Sequence, residues 1–98
     1  MAKAFWAQLA EDELEEIAYY IAVNDRRPET AAKIVTELKD KAQHYADNPA
    51  TGQRHPDMPD GWLHFIHKRW IVVYQAHNEG ILVLRVIDGS RDFNRLFT

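Results

Sequence analysis

The apolar residues of this chain recur with one period up to Asn48 and with another after Gly61, and few folds accept that change. Leu14, Ile17, Ala18, Ile21 and Ala22 fall at i, i+3, i+4, i+7 and i+8, which is one stripe of an α-helix. Ala31, Ile34, Val35, Leu38, Ala42 and Tyr45 make a second stripe of the same kind. After Gly61 the apolar residues alternate or run together over short segments, as strands require. The pattern predicts helices over 8–24 and 28–47 and strands over 62–66, 70–77 and 81–88. Lys3 to Trp6 is a candidate edge strand.

The boundaries have local causes. Glu11, Asp12 and Glu13 crowd the start of the first helix, where the helix dipole favours negative charge. Asn24-Asp25-Arg26-Arg27 breaks the stripe, and Pro28 suits the first position of a new helix. So short a connection makes the two helices an antiparallel hairpin. Pro49 to Gly61 carries three prolines and two glycines and reads as a loop. His67-Lys68-Arg69 and Asn78-Glu79-Gly80 are short enough for β-hairpins. The expected fold is α+β, an N-terminal antiparallel two-helix hairpin packed on a three- to four-stranded antiparallel sheet. At 98 residues the chain is expected to form one domain, 1–98.

Composition narrows the functional classes. There is no cysteine, so disulfides and thiolate metal sites are excluded. The N-terminus turns acidic by Glu11 and does not read as a signal peptide, and no apolar run has the length of a membrane span. A soluble, cytoplasmic protein without membrane association is expected. The net charge of −3 argues against nucleic-acid binding through bulk charge. The halves differ, however. Residues 1–48 hold ten acids against six Lys/Arg, and residues 49–98 hold five against six, together with four of the five histidines. A working surface on the C-terminal half is one reading of that asymmetry, and chance is the other.

Standard catalytic motifs are missing from the sequence. It has no glycine-rich phosphate loop, no His-Glu-x-x-His helix and no cysteine nucleophile. His64 and His67 are three apart on a strand, so their rings point to opposite faces and do not make a metal pair. No cofactor is expected. Trp62, Phe65, Trp70 and Tyr74 read as sheet core. Tyr19 and Tyr20 are adjacent on a helix and cannot both face inward, so at least one marks an exposed or partner-contacting surface. The arginines carry most of the remaining chemical content. Arg54, Arg69, Arg85, Arg91 and Arg95 can gather on one side of the sheet, and guanidinium groups bind phosphate or carboxylate in bidentate fashion. For Arg85 the alternatives are such a role or an ion pair with a carboxylate of the first helix. For Arg91 they are such a role or a salt bridge with Asp88 or Asp92.

The order of these pieces resembles the RelE/ParE superfamily of toxins from bacterial toxin–antitoxin modules, and its ParE branch in particular. Asp12-Glu13-Leu14-Glu15-Glu16-Ile17-Ala18-Tyr19-Tyr20-Ile21-Ala22 is similar to that branch's acidic first helix with its Tyr-Ile-Ala end. Ala31-Ala32, Asn48-Pro49-Ala50-Thr51-Gly52 and Ile71-Val72-Val73-Tyr74 resemble its second helix, its Asn-Pro-x-x-Gly loop and its aromatic strand. The most specific likeness is the ending Arg-Val-x-x-Gly-x-Arg-Asp-x-x-x-Leu-Phe, borne by Arg85 to Phe97.

The resemblance implies a toxin of plasmid-stabilisation type, neutralised by a cognate antitoxin and assembling as a homodimer or a hetero-oligomer with it. ParE-like members inhibit DNA gyrase without being enzymes, whereas RelE-like members cleave mRNA on the ribosome. The nucleolytic reading would use Arg91, Arg69 and His64. It lacks the lysines that RelE-like nucleases resemble one another in carrying on the strand before the hairpin, here Trp62-Leu63-His64-Phe65-Ile66. Its C-terminal aromatics are Phe93 and Phe97, and a phenyl ring moves no proton. The gyrase reading is therefore preferred, with Arg85, Arg91, Arg95 and Phe97 toward the target and Tyr19 and Tyr20 toward the antitoxin. Asp88 stands where the family ending commonly has histidine, which changes the local charge. A protein that binds its antitoxin but has lost toxicity is a third reading.

Overall fold

The computed structural model describes residues 2–89. Arg91, Arg95 and Phe97 lie outside the described residues. The elements follow in the order β1 (Lys3–Trp6), α1 (Gln8–Tyr19), a π-helical turn (Tyr20–Asn24), α2 (Pro28–Asp47), a 3-10 turn (Pro49–Thr51), β2 (Trp62–His67), β3 (Trp70–His77) and β4 (Gly80–Asp88). The two helices and the change to strands fall where the apolar period changes. Two features go beyond the sequence reading. The first helix does not stay α-helical to its end: Asp25 N–H donates to the Tyr20 carbonyl, five residues back, at 3.1 Å. The sheet is also not wholly antiparallel.

Its strand order is β1-β4-β3-β2. β2, β3 and β4 form the expected antiparallel meander, and β1 joins β4 in parallel, from Lys3 opposite Gly80 to Trp6 opposite Val83. A parallel neighbour needs a long crossover, and the helical hairpin with the rest of the chain supplies it. Gly80 is required at this junction. Its φ is +149°, and a Cβ there would stand 2.7 Å from the Lys3 backbone nitrogen.

Both helices lie on one face of the sheet. Leu14, Ile21, Ile34 and Leu38 meet Phe65, Trp70, Val72, Tyr74, Ile81, Val83 and Val86 in one buried cluster. Ala10, Ala31, Ala42 and Ala46 are buried in the same cluster, and their small side chains let helix backbones come close to their neighbours. Tyr45 of α2 stacks on Phe65 at 4.4 Å with the planes 2° apart, an aromatic contact of roughly 0.5–1.5 kcal/mol beyond its buried area. The opposite face carries a smaller cluster of Ile71, Val73 and Ile87, covered by Met58 from the loop before β2.

That loop is fixed by one corner. The Tyr74 hydroxyl, fully buried, donates to the Pro49 carbonyl at 2.7 Å. Burial pushes its pKa up to about 12, so it remains a donor. Gly52 lies against the same ring: a Cβ there would fall within 2.7 Å of Tyr74 Cζ and closer still to the hydroxyl. Asn48-Pro49-x-x-Gly52 and Tyr74 are thus a single structural device.

Candidate functional site

The helical hairpin is longer than β1, and this leaves a groove. β1 stops opposite Val83, whereas β4 continues to Asp88. Beyond that point no strand pairs with the outer edge of β4 among the described residues. The space beside the edge is an open cavity of about 720 Å³. Its apolar wall comes from Ile17, Tyr20 and Ile21 on the first helix and its π-helical end, with Ile34 from α2. Its other wall is the β2–β3 turn and the end of β4, from Lys68 to Trp70 and from Arg85 to Asp88.

The edge changes direction as it enters the groove. Val73 pairs with Arg85 but Tyr74 pairs with Val83, so Leu84 is an extra residue and makes a β-bulge. Bulges bend the strand and increase its twist. Beyond the bulge the Val86 N–H points outward, and the acceptor that meets it is a side chain. Glu13 Oε1 of α1 accepts from Val86 N–H at 2.9 Å and from Arg85 Nε at 3.1 Å, while Oε2 accepts from Arg85 Nη2 at 2.8 Å. This is the helix-one ion pair that the sequence left open for Arg85. The hydrogen bond with Glu13 raises the Arg85 pKa further, against the opposing effect of burial.

Across the groove, Arg69 at the β2–β3 turn donates through Nε to Asp88 at 3.2 Å and forms an ion pair with it through Nη2. That bond, with the carboxylate's charge, raises the Arg69 pKa. The Asp88 that departs from the expected histidine therefore has a definite role in the strand pair Trp70–Asp88. Neither Arg69 nor Arg85 is a loose surface charge.

His64 is elsewhere. It pairs with Val73, on the face of the sheet away from the helices. It is buried, and its main chain exchanges two hydrogen bonds of 2.8 Å with Gln53. Burial, with repulsion from His55 adding, lowers its pKa. His67 faces the other side, where its Nε2 meets Glu37 Oε1 of α2 at 2.8 Å and Lys68 Nζ approaches the same oxygen at 3.4 Å. The His67 hydrogen bond holds Glu37 below the usual carboxylate range, with Lys68 adding to the effect. Arg69 and His64, two of the three nucleolytic residues, are thus not brought together. Arg54 lies in the loop before β2, apart from the groove. Tyr19 and Tyr20 are both exposed, at 65% and 56%, and Tyr20 lines the groove.

Residues 4–93 match the model of the ParE toxin of type II toxin–antitoxin system, parDE. The chain belongs to the ParE toxin family. Among solved structures, the "Chromosomal ParDE TA system from P. aeruginosa" is similar at a TM-score of 0.71 and 19% identity, covering 90% of this chain and 96% of that one. At that identity the likeness speaks for the fold, and the ParE fold is the one described above. No curated protein matches the chain. Among the described residues, no helix is long and apolar enough to cross a membrane.

The sequence offered Arg85 a carboxylate of the first helix but did not single out Glu13 among the acids there. It is one of three acids that crowd the start of that helix. Only the parallel placement of β1, which brings α1 alongside the end of β4, puts Glu13 against Arg85.

Proposed function

We propose that this ParE-family chain acts by binding and inhibiting DNA gyrase, without catalysis, and is held inactive by a cognate antitoxin. The observation that carries the reading is the separation of the polar groups a nuclease would need. Cleavage at a ribose 2′-OH needs a base, a cation for the scissile phosphate and an acid for the leaving oxygen, all within reach of one bond. His64 is buried on one face of the sheet, while Arg69 and Arg85 are on the groove side, each committed to a carboxylate. A binding function has no such requirement. It takes place through the end of β4 and the C-terminal segment after Gly89, with Arg85, Arg91, Arg95 and Phe97 as target contacts. The antitoxin fits the groove, whose exposed Tyr20 and apolar wall suit a partner segment.

Two assays on the purified protein separate the readings: supercoiling by gyrase, and cleavage of ribosome-bound mRNA. Inhibited supercoiling with intact mRNA is expected. Cleavage by the wild type with gyrase unaffected would overturn the proposal. Growth inhibition should survive His64→Ala and fall on Arg91→Ala, with a melting curve for each variant to show that it is folded.

A further inference from the structure

We propose that the edge of β4 beyond the bulge is a docking site for an extended acidic peptide segment of the antitoxin, and that Glu13 is the plug it displaces. This rests on the antitoxin reading above and specifies its chemistry.

An exposed strand edge presents main-chain donors and acceptors that another chain can pair with. Here Glu13 occupies the place of an incoming strand at one point only. Its carboxylate does what the neighbouring carbonyl of a paired strand would do, accepting from Val86 N–H at 2.9 Å. Nothing covalent or main-chain fixes it there, since it arrives on a side chain from α1. The groove alongside has room for an extended chain, with the apolar surface of Ile17, Tyr20 and Ile21 facing the edge.

The charge of the occupant follows from Arg85. Its side chain is two-thirds covered, and its guanidinium takes both oxygens of Glu13. A strand that displaced Glu13 and brought no carboxylate would leave that partly covered cation without the charge-assisted hydrogen bonds it now makes, an unfavourable exchange. The segment that fits therefore supplies a main-chain carbonyl to Val86 and an Asp or Glu side chain to Arg85. Of the other acids lining the groove, Asp88 is paired with Arg69, and Glu16 and Asp25 share the lining with Arg27 and Lys68.

The test uses the intact toxin with the protein encoded by the adjoining reading frame, and with overlapping synthetic peptides that tile it. Intermolecular NMR contacts from the Val86 amide to one peptide's main chain are expected. Replacing that peptide's Asp or Glu by its amide should weaken binding about tenfold, as loss of a charge-assisted bidentate contact does. Glu13→Ala should strengthen binding by about threefold to tenfold, because the bonds Glu13 makes to Val86 N–H and to Arg85 no longer have to be displaced. Glu13→Gln keeps an oxygen acceptor for Val86 and covers the case in which the alanine variant misfolds; it too should bind more tightly, by a smaller factor. A purely structural Glu13 would lower the melting temperature and leave affinity unchanged or reduced. If the intact partner binds while the Val86 amide is unaffected, or while neither Glu13 variant binds more tightly, this inference falls and the antitoxin reading stands. If no partner or peptide binds at all, both fall.

Discussion

The two long edges of the sheet are closed by different means. On β2 the chain closes its own edge with main chain at its centre, where Gln53 exchanges two 2.8 Å hydrogen bonds with His64, and with a side chain farther along, where Lys41 Nζ donates to the Ile66 carbonyl at 2.8 Å. The loop that brings Gln53 there is pinned by Tyr74 and Gly52. On β4 the protection past Val83, among the described residues, is a carboxylate carried on another element. Edge strands are liabilities unless they are paired, covered or charged. The β2 edge is built to stay shut, whereas the β4 edge is guarded by a group that a side-chain rotation can remove. The difference separates a structural edge from a working one.

The strongest blow to the closed edge is predicted at Gly52. Gly52→Val places two extra methyl groups and a Cβ into the Tyr74 ring and hydroxyl, where no flexible neighbour can give way. Overpacking of this kind costs about 1–3 kcal/mol or more. Thermal unfolding should show a clear loss in melting temperature, and amide exchange at His64 should accelerate as Gln53 is pushed away. An unchanged His64 amide would mean that the loop does not hold the edge.

Tyr74→Phe removes less. It keeps the ring in the core and takes away only the donor to Pro49, leaving a part-buried carbonyl unsatisfied. A loss of about 1–2 kcal/mol is expected, measured by denaturant midpoints at an unchanged m-value. If Gly52 and Tyr74 form one device, the double variant should lose less than the sum of the two, since they share a contact.

How much of this was legible beforehand differs element by element. The helices at 8–24 and 28–47 and the three long strands declare themselves because burial on one face imposes a period, and the period is written in Leu14, Ile17 and Ile21 or in the run from Trp70 to Tyr74. Trp70, Phe65 and Tyr74 are core as the pleated pattern requires, and Trp62 packs against the smaller cluster. The parallel placement of β1 was not legible, because four residues carry no signal of the direction of their partner. The pairs Glu13–Arg85 and Arg69–Asp88 depend on that placement and on the hairpin register. Sequence separations of 72 and 19 residues hide them from any local rule. The opposite orientations of His64 and His67 were legible, because two-residue alternation in a strand leaves no other choice.

Acid should act on the closed edge through His64. Its pKa is lowered in the fold by burial and by His55, so below the ordinary histidine value near 6.5 the unfolded chain takes up a proton that the folded chain resists. Stability contributed by neutral His64 is therefore present above that value and declines as pH falls through the lowered one. The carboxylate of Glu37, held low chiefly by His67, makes its contribution above the usual 4.5 and loses it at still lower pH. Urea midpoints measured from neutral pH downward should fall in the first window for the wild type and less for His64→Gln. Equal slopes in that window would remove His64 as the cause.

The smallest effect is expected from Lys41→Met, and it sharpens the contrast between the edges most. Lys41 Nζ also lies 5.9 Å from the centre of the Phe65 ring, so methionine keeps the aliphatic cover over that ring and loses only the bond to Ile66 and the cation's attraction to the ring face. An exposed contact of this type is worth about 0.5–1 kcal/mol. The two main-chain bonds from Gln53 to His64 remain, so β2 stays covered at its centre. The variant should melt slightly earlier, remain monodisperse in size-exclusion chromatography and bind the antitoxin peptide as the wild type does. Glu13→Ala changes one side chain in the same way, yet at an edge with no main-chain cover behind it among the described residues, and is expected to raise affinity there. Matched responses of the two variants, whether both neutral or both tighter, would show that the edges are equivalent after all.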